Sequence, residues 1–586
     1  MKKVFNFIVM LLVPLQMCLA GNVKKISVTF NKNDFTLSMN SSGLLDIISN
    51  KHVASYGEET SEPGLPLIPV NVLIPEGNSF ASLTVSSNKS LIRENVTIAT
   101  NPRMMPTINF AQEATEGLPK YANKVYPISS GVYKCTSCMD GYTILNFLVS
   151  PFEYDASSKK LYLNESITLS INLENSNEKT TTLSMNGKNI SDIIKSLVIN
   201  GEEADARNIS TQNASTNSAR ENIEYLIITS RALSSYFQPI VQWKKMKGIS
   251  SKIIALEDIE ANYTGATTPH KIKSCLYDLY KNNGLKYVLL GGDDTIVPKA
   301  SCYVSAGGYT ENEMPTDLFF ACFGGNFDWD GNKNGIYGET TDGIDMSPSI
   351  YVTRIPIRTS TDVVAFSTKL LAYEKTPLKG GWGNNILMSG TQLWANYSST
   401  QSDAEAKGDN LYTNFIKPYW IGTRKKFYDT YTDFTGGADY TLNTANLQEQ
   451  FANGYNFFDI ATHGSPNLWA LESGRYYTSD AVSMKSNGFT IITTMACQTN
   501  QFDSPTYEPC LSEAFMRNAN NGVVAYLGCS RYGWGYSGGT SSLGPSLQYE
   551  AQFYQNLFSA SVENKNYGAI VAVAKAAMIS KSTSNN

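Results

Sequence analysis

Three histidines serve a chain of 586 residues, and one of them, His463, sits in the stretch "IATHGSP" (460–466). Further on, "IITTMACQT" (491–499) carries Cys497. Each follows a short, apolar, β-branched run. A thiol becomes a strong nucleophile when a nearby imidazole takes or screens its proton. Acyl transfer at such a thiol also needs donors for the developing oxyanion. Gly464 lets backbone approach a substrate carbonyl closely, so its N–H and that of Cys497 are candidate donors. A lone Cys or His at a strand end is by default a core or surface group. The scarcity of histidine shifts that balance. His52 lies in a β-rich region and His270 follows Pro269 at the start of a helical run. Only His463 ends a strand near a cysteine placed likewise.

The elements that must bring this pair together read as parallel sheet. "IEYLIITS" (223–230), "SKIIALED" (251–258) and "KYVLLGG" (286–292) are strands without polar alternation, interleaved with helical runs that end at Gly248 and Gly284. The scheme restarts with "NILMSG" at Asn385. It continues through a helical run (442–453) to "NFFDIATHG", "FTIITTMAC" and "GVVAYLGCS". Such strands are covered on both faces. In open parallel sheets, ligands bind beyond the carboxyl ends of the strands, where His463 and Cys497 both lie. Before this region, residues 21–200 show short alternating runs such as "FTLSM", "VNVLIP", "NVTIAT" and "ITLSINLE", split by turn residues, as in an all-β domain. Residues 201–222 carry almost no large apolar side chain and read as a linker that buries nothing. The expected fold class is α/β: two consecutive α/β subdomains (223–380 and 381–586) with helices on both faces of parallel sheet, preceded by an all-β domain.

The likeness extends beyond the pair. "ATHGS", then "MACQTNQFD", then "PCLSEAFMRNANNGVVAYLG" closely resemble the gingipain-like cysteine peptidases, peptidase family C25 of the caspase-like clan. Glu513, Ala514, Met516 and Arg517 match the family's helix after the cysteine, and Trp534 matches an aromatic lining its primary pocket. "GEETSEPGLPLIPVNVLIPEG" resembles the family's propeptide. The resemblance implies a caspase-like fold and a secreted endopeptidase made as a zymogen, acting on protein or peptide substrates and inhibited by its own propeptide. Cys497 would attack the scissile carbonyl, His463 would carry protons, and Gly464 and Cys497 would hold the oxyanion. The family's third, acidic residue falls, by gapless counting, on Gln392. The same counting puts Asp403 where Arg-specific members keep an acidic pocket residue. A solvated Asp at a helix start is the alternative. Arg220 and Arg207 in the linker are candidate processing sites, and Arg103 and Lys134 candidate plugs of the pocket. Two other functions stay open: a weakly active or inactive adhesin, which Gln392 favours, and a serine hydrolase using Ser537 in "GYSGG".

"NFDWDGNKNGIYGE" places Asp328, Asp330, Asn332, Asn334 and Glu339 around glycines, a pattern that wraps a hard cation such as calcium in a structural role. Residues 1–20 read as a signal peptide, with Lys2 and Lys3 before an apolar run, so export to the periplasm, cell surface or medium is expected. Net charge is −5 with no basic block, which argues against nucleic acid. No later run is long and apolar enough to span a membrane. Cys135 and Cys138 form "CTSC", either a local disulfide or two free thiols.

Overall fold

The computed structural model describes residues 22–40, 42–107, 119–176, 191–205, 221–375, 380–394, 402–429, 440–520, 522–536, 543–559 and 566–582. Two parallel sheets form the expected α/β region. The first has four strands in the order Ser251–Ala255, Tyr225–Thr229, Tyr287–Gly291, Tyr351–Ile355. The second has six, in the order Tyr440–Thr441, Thr423–Tyr428, Asn385–Gly390, Phe457–Ala461, Thr490–Thr494, Val523–Leu527. Phe457–Ala461 and Thr490–Thr494 are buried at every position, which is why their sequences show no polar alternation. On the neighbouring strand, Leu387 enters a core shared with the first sheet. Ile386 and Met388 enter a second core on the opposite face, under the helices Asp403–Leu411 and Pro545–Phe558. Each such buried side chain contributes about 1.5–3 kcal/mol.

The helices end where the sequence says they should. Thr268–Asn283 stops at Gly284 in the left-handed region (φ 77°), a conformation that costs glycine nothing. No described helix is long and apolar enough to cross a membrane.

The N-terminal region is mainly antiparallel sheet, built on Asn22–Thr29, Asn78–Arg93, Lys160–Asn175 and, separately, Ile68–Ile74, Tyr142–Val149 and Gly131–Met139. "NVTIAT" forms only isolated bridges, not a strand. The region is not purely β: Ser191–Leu197 is a helix. Nor do residues 201–205 bury nothing. Gly201 and Ala204 are buried, and Glu203 holds Lys24 at 2.5 Å. Burial here does not need large apolar side chains: Ala204 packs in an apolar cluster with Ile193, Ile194, Leu73 and Tyr142. The same cluster contains Tyr351, Ala569, Ala572 and Val573 of the α/β region, so it joins the two parts. Arg207 and Arg220 lie outside the described residues. Cys135 and Cys138 are not joined by a disulfide.

Close packing seats the helix that begins at Asp403. A side-chain carbon at Gly390, the last residue of its strand, would lie 2.5 Å from Ala461 O and 2.7 Å from Ala404 Cβ. Gly390→Ala is therefore expected to destabilise the fold by about 1–3 kcal/mol, measured by denaturant unfolding. An unchanged midpoint would refute this packing.

Candidate active site

Register brings the two loops together. Ile460 pairs with Thr494 in parallel strands. His463 and Cys497 lie at equal offsets beyond that pair, so both turns leave the same edge side by side. The histidine turn rests directly on the cysteine turn. A Cβ at Gly464 would fall 2.8 Å from Cys497 O and 2.9 Å from Ala496 Cβ, so only glycine fits there. Gln498 adopts a left-handed conformation (φ 61°) just after the cysteine, which turns the chain sharply and aims Cys497 over the sheet edge. Gly464 faces Trp469 in a short antiparallel pair whose ladder bond runs from Ala470 N–H to His463 O. Gly464 is thus a non-hydrogen-bonded pair member, and its N–H points away from the ladder. The other histidines are elsewhere: His52 packs edge-on against Phe30, and His270 Nδ1 meets Thr267 Oγ1 at 2.7 Å.

A residue from the N-terminal region occupies this site. Met104–Pro106 pairs antiparallel with Trp534–Tyr536, and Thr107 N–H donates to Gly533 O at 2.9 Å. Thr107 then meets both candidate groups. Its carbonyl accepts a bond from His463 Nδ1 at 2.8 Å, and its Oγ1 lies 3.2 Å from Cys497 Sγ. A carbonyl can only accept, so Nδ1 carries the proton. That nitrogen cannot then receive a proton from the thiol. Gly533 N–H also donates to Sγ at 3.2 Å. Burial pushes the Cys497 thiol above its ordinary pKa, and these bonds from Thr107 and the backbone only partly offset it. Burial and enclosure both disfavour the reactive thiolate in this state.

Other expected site residues are placed as follows. Trp534 stands on the cleft strand opposite Pro106, its ring against the turn at Gly307. Gln392 does not reach out as an orienting group: its amide donates to Trp394 O at 2.7 Å, and its backbone N–H to Asp429 at 2.5 Å. The carboxylate whose charge bears on His463 is Asp403. It opens a helix capped by Ser402, but it is fully buried, not solvated. It accepts Leu393 N–H at 2.7 Å and lies 3.6 Å from Lys407 Nζ. Burial raises its pKa above the usual carboxylate range, and Lys407 and His463 oppose the rise. Asp429, which the sequence reading passed over, is pushed up to about 7 by burial. Arg103 is exposed and Lys134 lies on the strand Gly131–Met139; the N-terminal residue bonded to His463 and Cys497 is Thr107. Ser537 lies outside the described residues. In the polar loop, Asp330 accepts N–H groups of Asn334 and Gly335, and Asn332 and Asn334 both donate to Glu339 Oε2. Asp328 makes none of these contacts; its charge bears on His270 and Lys273.

The model of Peptidase family C25 matches residues 218–586. The chain belongs to peptidase family C25. A model of the C25 propeptide matches residues 16–209, so Thr107 comes from a propeptide and the chain is a zymogen form. Gingipain R1 of Porphyromonas gingivalis is 20% identical over 481 residues, 80% of this chain and 42% of that protein. Gingipain R2 of the same organism is 20% identical over 525 residues, 85% of this chain and 63% of that protein. The chain thus spans less than two thirds of the length of these relatives. The crystal structure of the Arg-specific cysteine proteinase gingipain R is similar with a TM-score of 0.46 at 19% identity, covering 62% of this chain and 74% of that one. A complex of RgpB pro- and mature domains gives 0.42 at 18% identity, over 62% and 75%.

In the full chain, the alkylation rate of Cys497 is expected to rise with pH around a midpoint above the ordinary thiol value of about 8.5. Iodoacetamide labelling followed by peptide mass spectrometry measures it. A midpoint at or below that value would contradict a buried, propeptide-covered thiol.

Proposed function

We propose that this C25 chain is a cysteine endopeptidase working through a Cys497–His463 dyad and held latent by its propeptide. The observation that carries the reading is Thr107, bonded to both groups while its strand pairs with the cleft as a peptide substrate would. Once the propeptide leaves, His463 takes the thiol proton and Sγ adds to the scissile carbonyl carbon. The oxyanion is held by the N–H groups of Gly464 and Cys497. His463 then gives the proton to the leaving amine as the C–N bond breaks, leaving a thioester. Water attacks that carbonyl, losing a proton to His463. The C–S bond breaks and the thiolate departs, reprotonated by His463.

Cleavage after Arg, with Arg207 and Arg220 as processing sites, is the finer reading suggested by sequence. Gingipain R is described as Arg-specific. Lys407 beside Asp403 weighs against it in this chain. The adhesin reading has less support, because the register and turns that serve a dyad are intact. The N-terminal basic and apolar run supports export as part of the proposal.

In the processed protein, Cys497→Ala is expected to abolish peptide hydrolysis and His463→Ala to lower it by about 10⁴-fold or more. Ser537→Ala should leave it near the parent rate. Activity surviving in Cys497→Ala, or lost only in Ser537→Ala, would sink the dyad.

We also propose that Asp330, Asn332, Asn334 and Glu339 hold calcium in a structural role. All four side chains carry oxygen within one turn-rich loop, which suits a hard cation, although the groups that face Glu339 Oε2 here are the Asn332 and Asn334 amide N–H. Only two of the four are carboxylates, and no described group of three or more His, Cys, Asp or Glu is placed to hold a metal. Calcium at about 100 times Kd is expected to raise unfolding free energy by about 2.7 kcal/mol, and Asp330→Ala to remove the effect. Calorimetry without binding heat would refute the site.

A further inference from the structure

A strand lying in a substrate's place reports what its subsites are shaped to take. The register is fixed by backbone: Gly535 opposes Met105, Trp534 opposes Pro106, and Thr107 N–H reaches Gly533 O. The Thr107 carbonyl sits at His463. Thr107 therefore fills the position on the amino side of the scissile bond, and its side chain is completely buried.

The walls around that side chain are close. A carbon added at Gly535 would lie 2.9 Å from the Trp394 ring and 3.6 Å from the Thr107 methyl, so ring and methyl crowd one face of the cleft strand. A carbon at Gly533 would lie 3.0 Å from Thr107 Oγ1. Trp394 is itself fully buried and belongs to an apolar cluster that also packs Met105.

Charge points the same way. On the helix Asp403–Leu411, whose first residue accepts the N–H of Leu393 next to Trp394, Asp403 has Lys407 at 3.6 Å, Glu405 has Lys426 at 2.5 Å, and Asp409 has Arg424 at 2.6 Å. Three carboxylates face three cations, so this helix offers no excess negative charge to a guanidinium. Two further carboxylates, Asp429 and Glu472, lie close to one another outside this set, and Asp429 accepts Gln392 N–H.

We infer that the primary pocket of this peptidase takes a small, uncharged side chain, such as threonine, serine, valine or alanine, and excludes arginine and lysine. Trp394 limits its depth and Lys407 neutralises its acid. The inference rests on the peptidase reading of Cys497 and His463.

Two measurements test it. In the full chain, Thr107→Arg should not fit, so the strand lifts and iodoacetamide labels Cys497 about tenfold faster or more. Thr107→Val should label like the parent. Slower or unchanged labelling of Thr107→Arg would show a pocket that accepts arginine and would overturn the inference. Second, the processed protein digests a proteome-derived peptide library beside a Cys497→Ala control. Cleavage after small neutral residues should exceed that after Arg and Lys by about tenfold or more in kcat/KM; the reverse preference overturns the inference. No cleavage above the control would defeat the peptidase reading itself, while the labelling rates still decide what the pocket accepts.

Discussion

One parallel pairing governs the site. Because Ile460 stands opposite Thr494, the turns that follow emerge at the same height and can touch. Side chains alternate between faces with a period of two, so a slip of one residue would reverse every buried side chain on the strand. The two cores on either face forbid that slip. Gly464 then lets the turns close to contact, and the left-handed Gln498 aims the thiol. The reactive geometry is thus fixed by packing well inside the sheet, not by the loops that display it.

The propeptide exploits the same edge. It adds a strand to the cleft, a mode in which backbone bonds give adhesion and side-chain pockets give selectivity. What separates this inhibitor from a substrate is the partner of one carbonyl. Thr107 O is held by His463 Nδ1, which ties up the imidazole proton, and the thiol is left buried and protonated. Latency of the proposed dyad needs no distortion of either group.

Much of the fold was legible because its physics is local. Unbroken apolar strands, helix runs closing at Gly248 and Gly284, and the scarcity of histidine all pointed to the two α/β units and to His463 with Cys497. The strand Tyr351–Ile355 was missed because its partner, Tyr287–Gly291, lies far back in the chain. The hairpin of Gly131–Met139 and Tyr142–Val149 was missed although Asp140-Gly141, a two-residue turn signal with both φ positive, joins its strands. Thr107 was invisible because its partners are distant in the chain. It acts through backbone register with residues more than 350 positions away, and "RMMPT" bears no catalytic signature. Sequence offered Asp403 as a free acid; its pairing with Lys407, one helical turn on, is visible only once burial is known.

The apolar cluster joining Leu73, Tyr142 and Ile194 to Ala569 and Val573 has a consequence of its own. Severing the chain near residue 220 would not by itself remove the inhibitor, because this contact and the added strand still hold it. The cut would turn a tethered inhibitor into a separate ligand, whose occupancy then depends on concentration and residence time. Crowded copies would stay silent and diluted ones would wake, so the distance a molecule travels from its siblings would set the moment at which it begins to work.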